Sequence, residues 1–140
     1  MSEPREWKLE AHQGRFEPPD TLWLKLQGSI SRETFVWTVT LCRELGSQQA
    51  LFVVADVTET NGMDPEGRRY ASEHMESEWI AAVIYIGARL IHKAAAKGIG
   101  FVVQHLLGRK TTPVYFVSNE EEARDVLAQL RRSKEPIPSQ

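Results

Sequence analysis

The chain has 140 residues, of which 41% are hydrophobic and 26% are charged. This size and composition predict one soluble globular domain and exclude an intrinsically disordered chain. With 17 basic and 19 acidic residues the net charge is -2, so no global positive field attracts nucleic acid.

Features of an exported or membrane-inserted protein are missing from the sequence. Residues 1–7, MSEPREW, have neither the basic head nor the apolar run of a secretory signal, and no stretch reaches the roughly 18 apolar residues of a membrane span. Cys42 is the single cysteine, which excludes an internal disulfide, and its place in a helical pattern indicates a buried apolar role. We therefore expect a cytoplasmic protein.

The first elements in chain order are two alternating segments and a helix. Apolar and polar residues alternate over residues 7–12 and again over 22–27, with the turn-prone residues 18–20 between them, which predicts an antiparallel pair of strands. Ser31 then caps a helix that keeps helical apolar spacing until Gly46. Because this helix is rich in β-branched residues, it depends on packing against a sheet.

Two strongly apolar segments come next. Residues 51–57 and 79–86 show no polar alternation, which is typical of central strands covered on both faces. Between these strands the sequence predicts a loop over residues 58–63 and a helix that begins near Pro65, since proline suits the first helical turn.

The last part of the chain predicts a long helix over residues 88–107, a short strand over 113–117 and a closing helix with a Ser118 and Glu121 capping box. Helical crossovers make the later strands parallel. The sequence thus predicts an α/β fold with a single mixed, mostly parallel sheet of about five strands and four helices. We expect one domain over residues 1–133 and a flexible tail over 134–140.

Several short motifs accompany this order of elements. They are the apolar strand ending in Asp56, the helix opening Asp64-Pro-Glu-Gly-Arg-Arg69, the strand end Tyr85-Ile-Gly87 and the final Pro113-Val-Tyr-Phe116 followed by Glu121-Glu-Ala-Arg124. With these motifs the chain resembles the SpoIIAA-like family, which is related to STAS domains and distantly to the Sec14 lipid-transfer fold. The resemblance implies a non-catalytic protein-interaction or regulatory module, and we expect a homodimer.

One position departs from the pattern of the wider group. Its anti-sigma-factor antagonists carry Asp-Ser-Ser-Gly at the helix opening, and a partner kinase phosphorylates the second serine. The matching residues here are Asp64, Pro65, Glu66 and Gly67, so the phosphorylatable serine is missing. A phosphate would bring about -1.5 to -2 charges, whereas Glu66 brings about -1 permanently, so the resemblance implies a fixed contact in place of a switch.

Two surfaces are candidates for binding. The first is a charged partner-binding surface at the carboxyl end of the sheet, although the same residues would also suit a solvated helix start: Asp56, Asp64, Glu66, Arg68 and Arg69. The second is the apolar half of the long helix, which is either core, a dimer surface or a groove for a small apolar or lipid-like ligand: Ile99, Phe101, Val102, Val103, Leu106 and Leu107. The ligand groove is the alternative function.

A weaker candidate is an anion-binding mouth at Gly87, Ala88 and Arg89, where exposed backbone N–H groups would begin a helix, although a tight turn explains the same residues. Catalysis and metal binding find no support. No Gly-x-Ser-x-Gly elbow occurs, and His92 and His105 lie about 20 Å apart along an ideal helix. We expect no metal, no cofactor and no enzymatic activity.

Overall fold

The computed structural model describes residues 5–87 and 112–134. In chain order its elements are β1 (Arg5–Leu9), β2 (His12–Glu17), β3 (Thr21–Ile30), α1 (Arg32–Gly46), β4 (Leu51–Met63), α2 (Pro65–His74), a 3-10 turn (Ser77–Trp79), β5 (Ile80–Ile86), β6 (Val114–Val117) and α3 (Glu120–Lys134).

The strands form a single sheet with the order β1-β2-β3-β4-β5-β6. Strands β1, β2 and β3 pair antiparallel, and each later strand is parallel to the one before it. The predicted α/β class with a mixed, mostly parallel sheet is confirmed, with six strands in place of about five. Three α-helices occur in the two described ranges, and the predicted long helix over residues 88–107 lies outside them.

The extra strand is β2. The segment predicted as one strand over residues 7–12 turns at Glu10, which has a φ of 54°, and the chain returns beside itself. The inward positions of β2 are His12, Gly14 and Phe16. His12 is polar and Gly14 has no side chain. The apolar alternation that indicates a strand was therefore too weak to predict β2.

Strand β4 is longer than predicted. The expected loop over residues 58–63 is wrong, because β4 continues beside β3 through two register shifts until Ile30 pairs with Met63. The first half of β4 is buried, whereas Thr58 and Glu59 are exposed. Polar side chains on an uncovered strand resemble a loop in the sequence, which explains the error.

Side-chain caps fix the starts of the helices. The predicted Ser31 cap is confirmed, since its Oγ accepts a hydrogen bond of 3.3 Å from the Thr34 N–H. The cap of α3 lies one residue later than predicted: Asn119 Oδ1 accepts from the Glu122 N–H at 2.9 Å, and Glu122 Oε1 accepts from the Ser118 N–H at 2.8 Å. This reciprocal pair satisfies backbone donors at the helix start.

Helices cover both faces of the sheet. One face packs under α1 and α2 and includes Leu24, Val53 and Val83. The other packs under α3 and includes Val54 and Ile84. Consecutive residues within β4, and likewise within β5, therefore face opposite hydrophobic cores. Both faces of these strands are covered, which is why the strands are apolar without alternation.

Candidate functional site

Four of the five charged residues predicted to bind a partner lie around the start of α2. The Asp64 N–H donates to the Ile30 carbonyl at 2.9 Å, and the Asp64 carboxylate accepts from the Glu66 N–H at 3.0 Å. The first bond ties the helix start to the end of β3, and the second caps the helix. Glu66, Arg68 and Arg69 remain exposed.

Gly67 faces the opposite way and is buried against α1. A Cβ atom at this position would overlap the Phe35 ring. The absence of a side chain thus lets α2 lie directly on α1, and this contact fixes which side of α2 is presented outward.

A tilted pair of aromatic rings, which was not predicted from the sequence, adds to the exposed side of α2. The Tyr70 and His74 ring centroids are 4.2 Å apart, and the Arg32 guanidinium lies 5.3 Å from the Tyr70 ring centroid. The spacing of four residues places Tyr70 and His74 together on one helix face and was the available signal. Arg32 belongs to α1, so only the fold brings it there. We call the combined region the α2 surface: Arg32, Asp64, Glu66, Arg68, Arg69, Tyr70 and His74.

Asp56 lies apart from the α2 surface. It sits within β4, seven positions before Met63, which corresponds to roughly 20 Å of extended chain. Its Oδ1 accepts from the Thr58 N–H at 3.0 Å and from the Thr58 hydroxyl at 2.6 Å. The Asp56 carboxylate therefore supports the continuation of β4 and does not begin a loop.

Thr58 in turn lies against Gly87. Gly87 has a φ of 70°, and a Cβ atom there would collide with the Thr58 side chain. The Gly87 N–H donates to the Val117 carbonyl at 3.0 Å, so it is already used within the sheet. The other two residues of the predicted anion-binding mouth, Ala88 and Arg89, lie outside the described residues.

A cavity of about 140 Å³ lies between the sheet and the helices α1 and α2. Its described wall comes from β3, β4, β5 and both helices, and these lining residues are apolar except for Thr38, Cys42 and Tyr85. The apolar set predicted to form a dimer surface or ligand groove lies outside the described residues: Ile99, Phe101, Val102, Val103, Leu106 and Leu107. The cavity was not predicted, because residues from five elements meet there only in the folded chain.

Two ionisable groups line this cavity, and burial keeps both of them protonated. Burial raises the pKa of the Cys42 thiol to about 12 and that of the Tyr85 hydroxyl to about 12 as well. The prediction that Cys42 is buried is confirmed. The Tyr85 ring stacks on Phe116 with centroids 5.7 Å apart. Within residues 5–87 and 112–134, no hydrogen-bond partner is found for its hydroxyl.

The described ranges contain neither a candidate metal site nor a helix that could span a membrane. Among these residues no group of three or more His, Cys, Asp or Glu side chains is arranged to hold a metal ion. None of the helices in this part of the chain has the length and apolar character needed to cross a bilayer.

The chain matches no protein-family model and no curated protein sequence. Among solved structures it is similar to the unphosphorylated anti-sigma factor antagonist SpoIIAA, with 18% identity and a TM-score of 0.59 over 84% of this chain and 98% of that one. This chain has a SpoIIAA-like fold. A protein of the DUF3478 family from Shewanella loihica PV-4, also with a SpoIIAA-like fold, is 16% identical with a TM-score of 0.58 over 91% of this chain and 97% of its own. The SpoIIAA-like fold expected from the sequence motifs is thus confirmed.

Proposed function

We propose that this protein is a cytoplasmic, non-catalytic regulatory module that binds another protein through the α2 surface. The observation that carries this proposal is the packing of α2, which is fixed from inside by Gly67 against Phe35 and leaves charged side chains outside. A fixed charged helix face gives a partner a defined pattern of charge without a cost of ordering. The similar protein SpoIIAA is an anti-sigma factor antagonist, which supports a protein partner.

Within this proposal the contact is permanent and not switched. Glu66 is exposed in the first turn of α2, at the position where the wider group's antagonists carry a serine. A glutamate at this position brings a negative charge without any kinase. Asp56 is left out of the proposed contact surface, because its carboxylate is engaged by Thr58 and it lies far along β4.

Charge reversal on the α2 surface tests the proposal. Wild-type protein, Arg68→Glu/Arg69→Glu and the matched control Arg132→Glu are each immobilised, and proteins captured from source-cell lysate are identified by mass spectrometry. Arg132 is exposed on α3, on the other side of the sheet. We expect one protein that wild type and the control capture in equal amounts and the double variant does not. Equal capture by all three chains would contradict the proposal.

Self-association remains a second part of the proposal. The apolar residues 99–107 were expected to form a homodimer surface, and they lie outside the described residues. Native mass spectrometry of the purified chain measures the subunit number directly. A monomer at micromolar concentration would remove the homodimer from the proposal and leave the α2 surface unaffected.

A second candidate function is the binding of a small apolar ligand. The observation that favours it is the apolar cavity between α1, α2 and the sheet. Such concave apolar sites with a few polar groups are the usual form of small-molecule sites. This function uses the inner side of α2 and the first uses its outer side, so both can hold for the same protein.

A further inference from the structure

The size of the cavity limits its occupant. At about 140 Å³ it matches the engineered cavity of roughly 150 Å³, lined by apolar side chains, that stays dry and binds benzene or xenon. One six-membered ring therefore fits. Among the described residues that line the cavity there is no Asp, Glu, Lys, Arg or His. A charged ligand would lose its hydration without gaining an ionic partner, so the occupant is neutral.

The wall favours an aromatic ring in particular. Phe35 and Tyr85 supply two aromatic rings, and the side chains of Met63 and Met75 lie on the same wall. Thioether sulfur makes favourable contacts with aromatic rings, and methionine side chains adapt their shape to a bound molecule. Both methionines adjoin the ends of α2, since Met63 precedes its cap and Met75 follows its last residue.

The polar groups of the wall differ in what they can offer. The Thr38 hydroxyl donates to the Thr34 carbonyl at 2.9 Å within α1, so its proton is used. The Cys42 thiol is only a weak donor. The Tyr85 hydroxyl is a strong donor for which the two described ranges contain no hydrogen-bond partner. Tyr85 is half-buried, so its hydroxyl can exchange a hydrogen bond with water for one with an acceptor held in the cavity.

We propose that this cavity binds a neutral, single-ring aromatic molecule that carries one oxygen, and that the Tyr85 hydroxyl donates a hydrogen bond to that oxygen. Phenols are the simplest members of this class. The inference rests on the second candidate function and specifies its ligand. Tyr85 is the residue that distinguishes an oxygenated ring from a plain hydrocarbon.

Phenol and toluene are suitable probes because they have the same number of heavy atoms and differ at a single group. The chain contains three methionines, and two of them line the cavity. With methyl-labelled methionine, NMR titration of the full chain therefore reports on the cavity through Met63 and Met75. We expect saturable shifts of the Met63 and Met75 methyl signals with both probes.

The variant Tyr85→Phe removes the proposed donor and keeps the ring. We expect it to weaken phenol binding by about 2-fold to 10-fold, the range of one net hydrogen bond, and to leave toluene binding unchanged. Tyr115→Phe is the matched control, because Tyr115 packs on the α3 side of the sheet. Ala71→Leu is a second variant that fills the cavity from α2 and is expected to abolish binding of both probes.

The outcomes separate the two levels of the proposal. If neither probe shifts the Met63 and Met75 signals, the second candidate function fails and the inference fails with it. If both probes bind and Tyr85→Phe leaves their relative affinity unchanged, only the inference about the oxygen is overturned. Binding that persists in a folded Ala71→Leu variant would place the probes elsewhere and overturn both.

Discussion

Arg124 and Glu17 form a two-pronged ion pair that joins α3 to the end of β2. Arg124 Nη1 donates to Glu17 Oε2 at 3.1 Å, and Arg124 Nη2 donates to Glu17 Oε1 at 3.0 Å. The indole N–H of Trp23 donates to the same carboxylate at 3.1 Å, and the Arg124 guanidinium lies 4.6 Å from the Trp23 ring centroid. The last helix is thereby attached to the antiparallel part of the sheet.

This pair predicts weaker folding in acid. The hydrogen bonds from Arg124 lower the pKa of Glu17 below its ordinary value of 4.5. A lowered pKa gives stability that is complete above 4.5 and is lost as the pH falls through the lower, folded-state value. Between pH 4.5 and the lowered pKa of Glu17, we expect Arg124→Gln to lose less unfolding free energy than wild type does. Arg132→Gln should lose as much as wild type. Urea unfolding measured from neutral to acid pH tests this, and parallel curves for all three proteins would contradict it.

The hydrogen bonds of Asp56 predict a local effect on β4. Asp56→Ala removes the acceptor for the Thr58 N–H and hydroxyl and should cost about 1 kcal/mol, since the site is partly exposed. Asp56→Asn keeps the Oδ1 acceptor and serves as the matched control. Amide hydrogen exchange should accelerate at Thr58 in the alanine variant only. Unchanged exchange at Thr58 would show that this bond does not hold the strand.

The contact between Thr58 and Gly87 predicts that no side chain is tolerated at position 87. Gly87→Ala places a Cβ atom at a left-handed φ and against Thr58, and should destabilise the fold by about 2 kcal/mol. Gly62→Ala is the control, because no heavy atom lies within 4 Å of a Cβ at that position. Thermal unfolding of both variants gives the comparison. Equal melting temperatures would refute the close approach.

The contact between Gly67 and Phe35 predicts a change in stability opposite to the one expected from helix propensity. Replacing glycine by alanine inside a helix usually stabilises it by about 1 kcal/mol. Here Gly67→Ala should destabilise the protein, because the new methyl group overlaps the Phe35 ring. The double variant Gly67→Ala/Phe35→Ala should be more stable than the sum of the single effects predicts, since the smaller residue makes room. Additive unfolding free energies would contradict the proposed packing.

The parts of the fold that the sequence predicted have strong local signals. The unbroken apolar run of β4 indicated a central strand, and Ser31 and Pro65 marked helix starts that the structure contains. The parts of the fold that were missed have weak or misleading local signals. The inward positions of β2 include His12 and Gly14, and the exposed end of β4 is polar like a loop. Whether other elements cover these strand segments decides which of their residues are apolar. A single sequence does not show which segments are covered.

The candidate site divides in the same way. The exposure of Glu66, Arg68 and Arg69 follows from their places on a helix that begins at Pro65, so the charged side of α2 was predictable. The cavity depends on side chains from five elements, and the Arg32 contact to Tyr70 joins two helices. Long-range contacts of this kind leave no periodic trace in the sequence, and the place of Tyr85 on the cavity wall was missed for that reason.

The most direct test of the central claim is the affinity of the captured partner for the α2 surface. Isothermal titration compares wild type with Arg68→Glu/Arg69→Glu and with Arg132→Glu, after thermal unfolding has shown that all three are equally folded. The account predicts a Kd at least about tenfold higher for the double variant, the effect of losing about 1.4 kcal/mol of binding free energy, and an unchanged Kd for the control. The same Kd for all three proteins would show that α2 does not contact the partner.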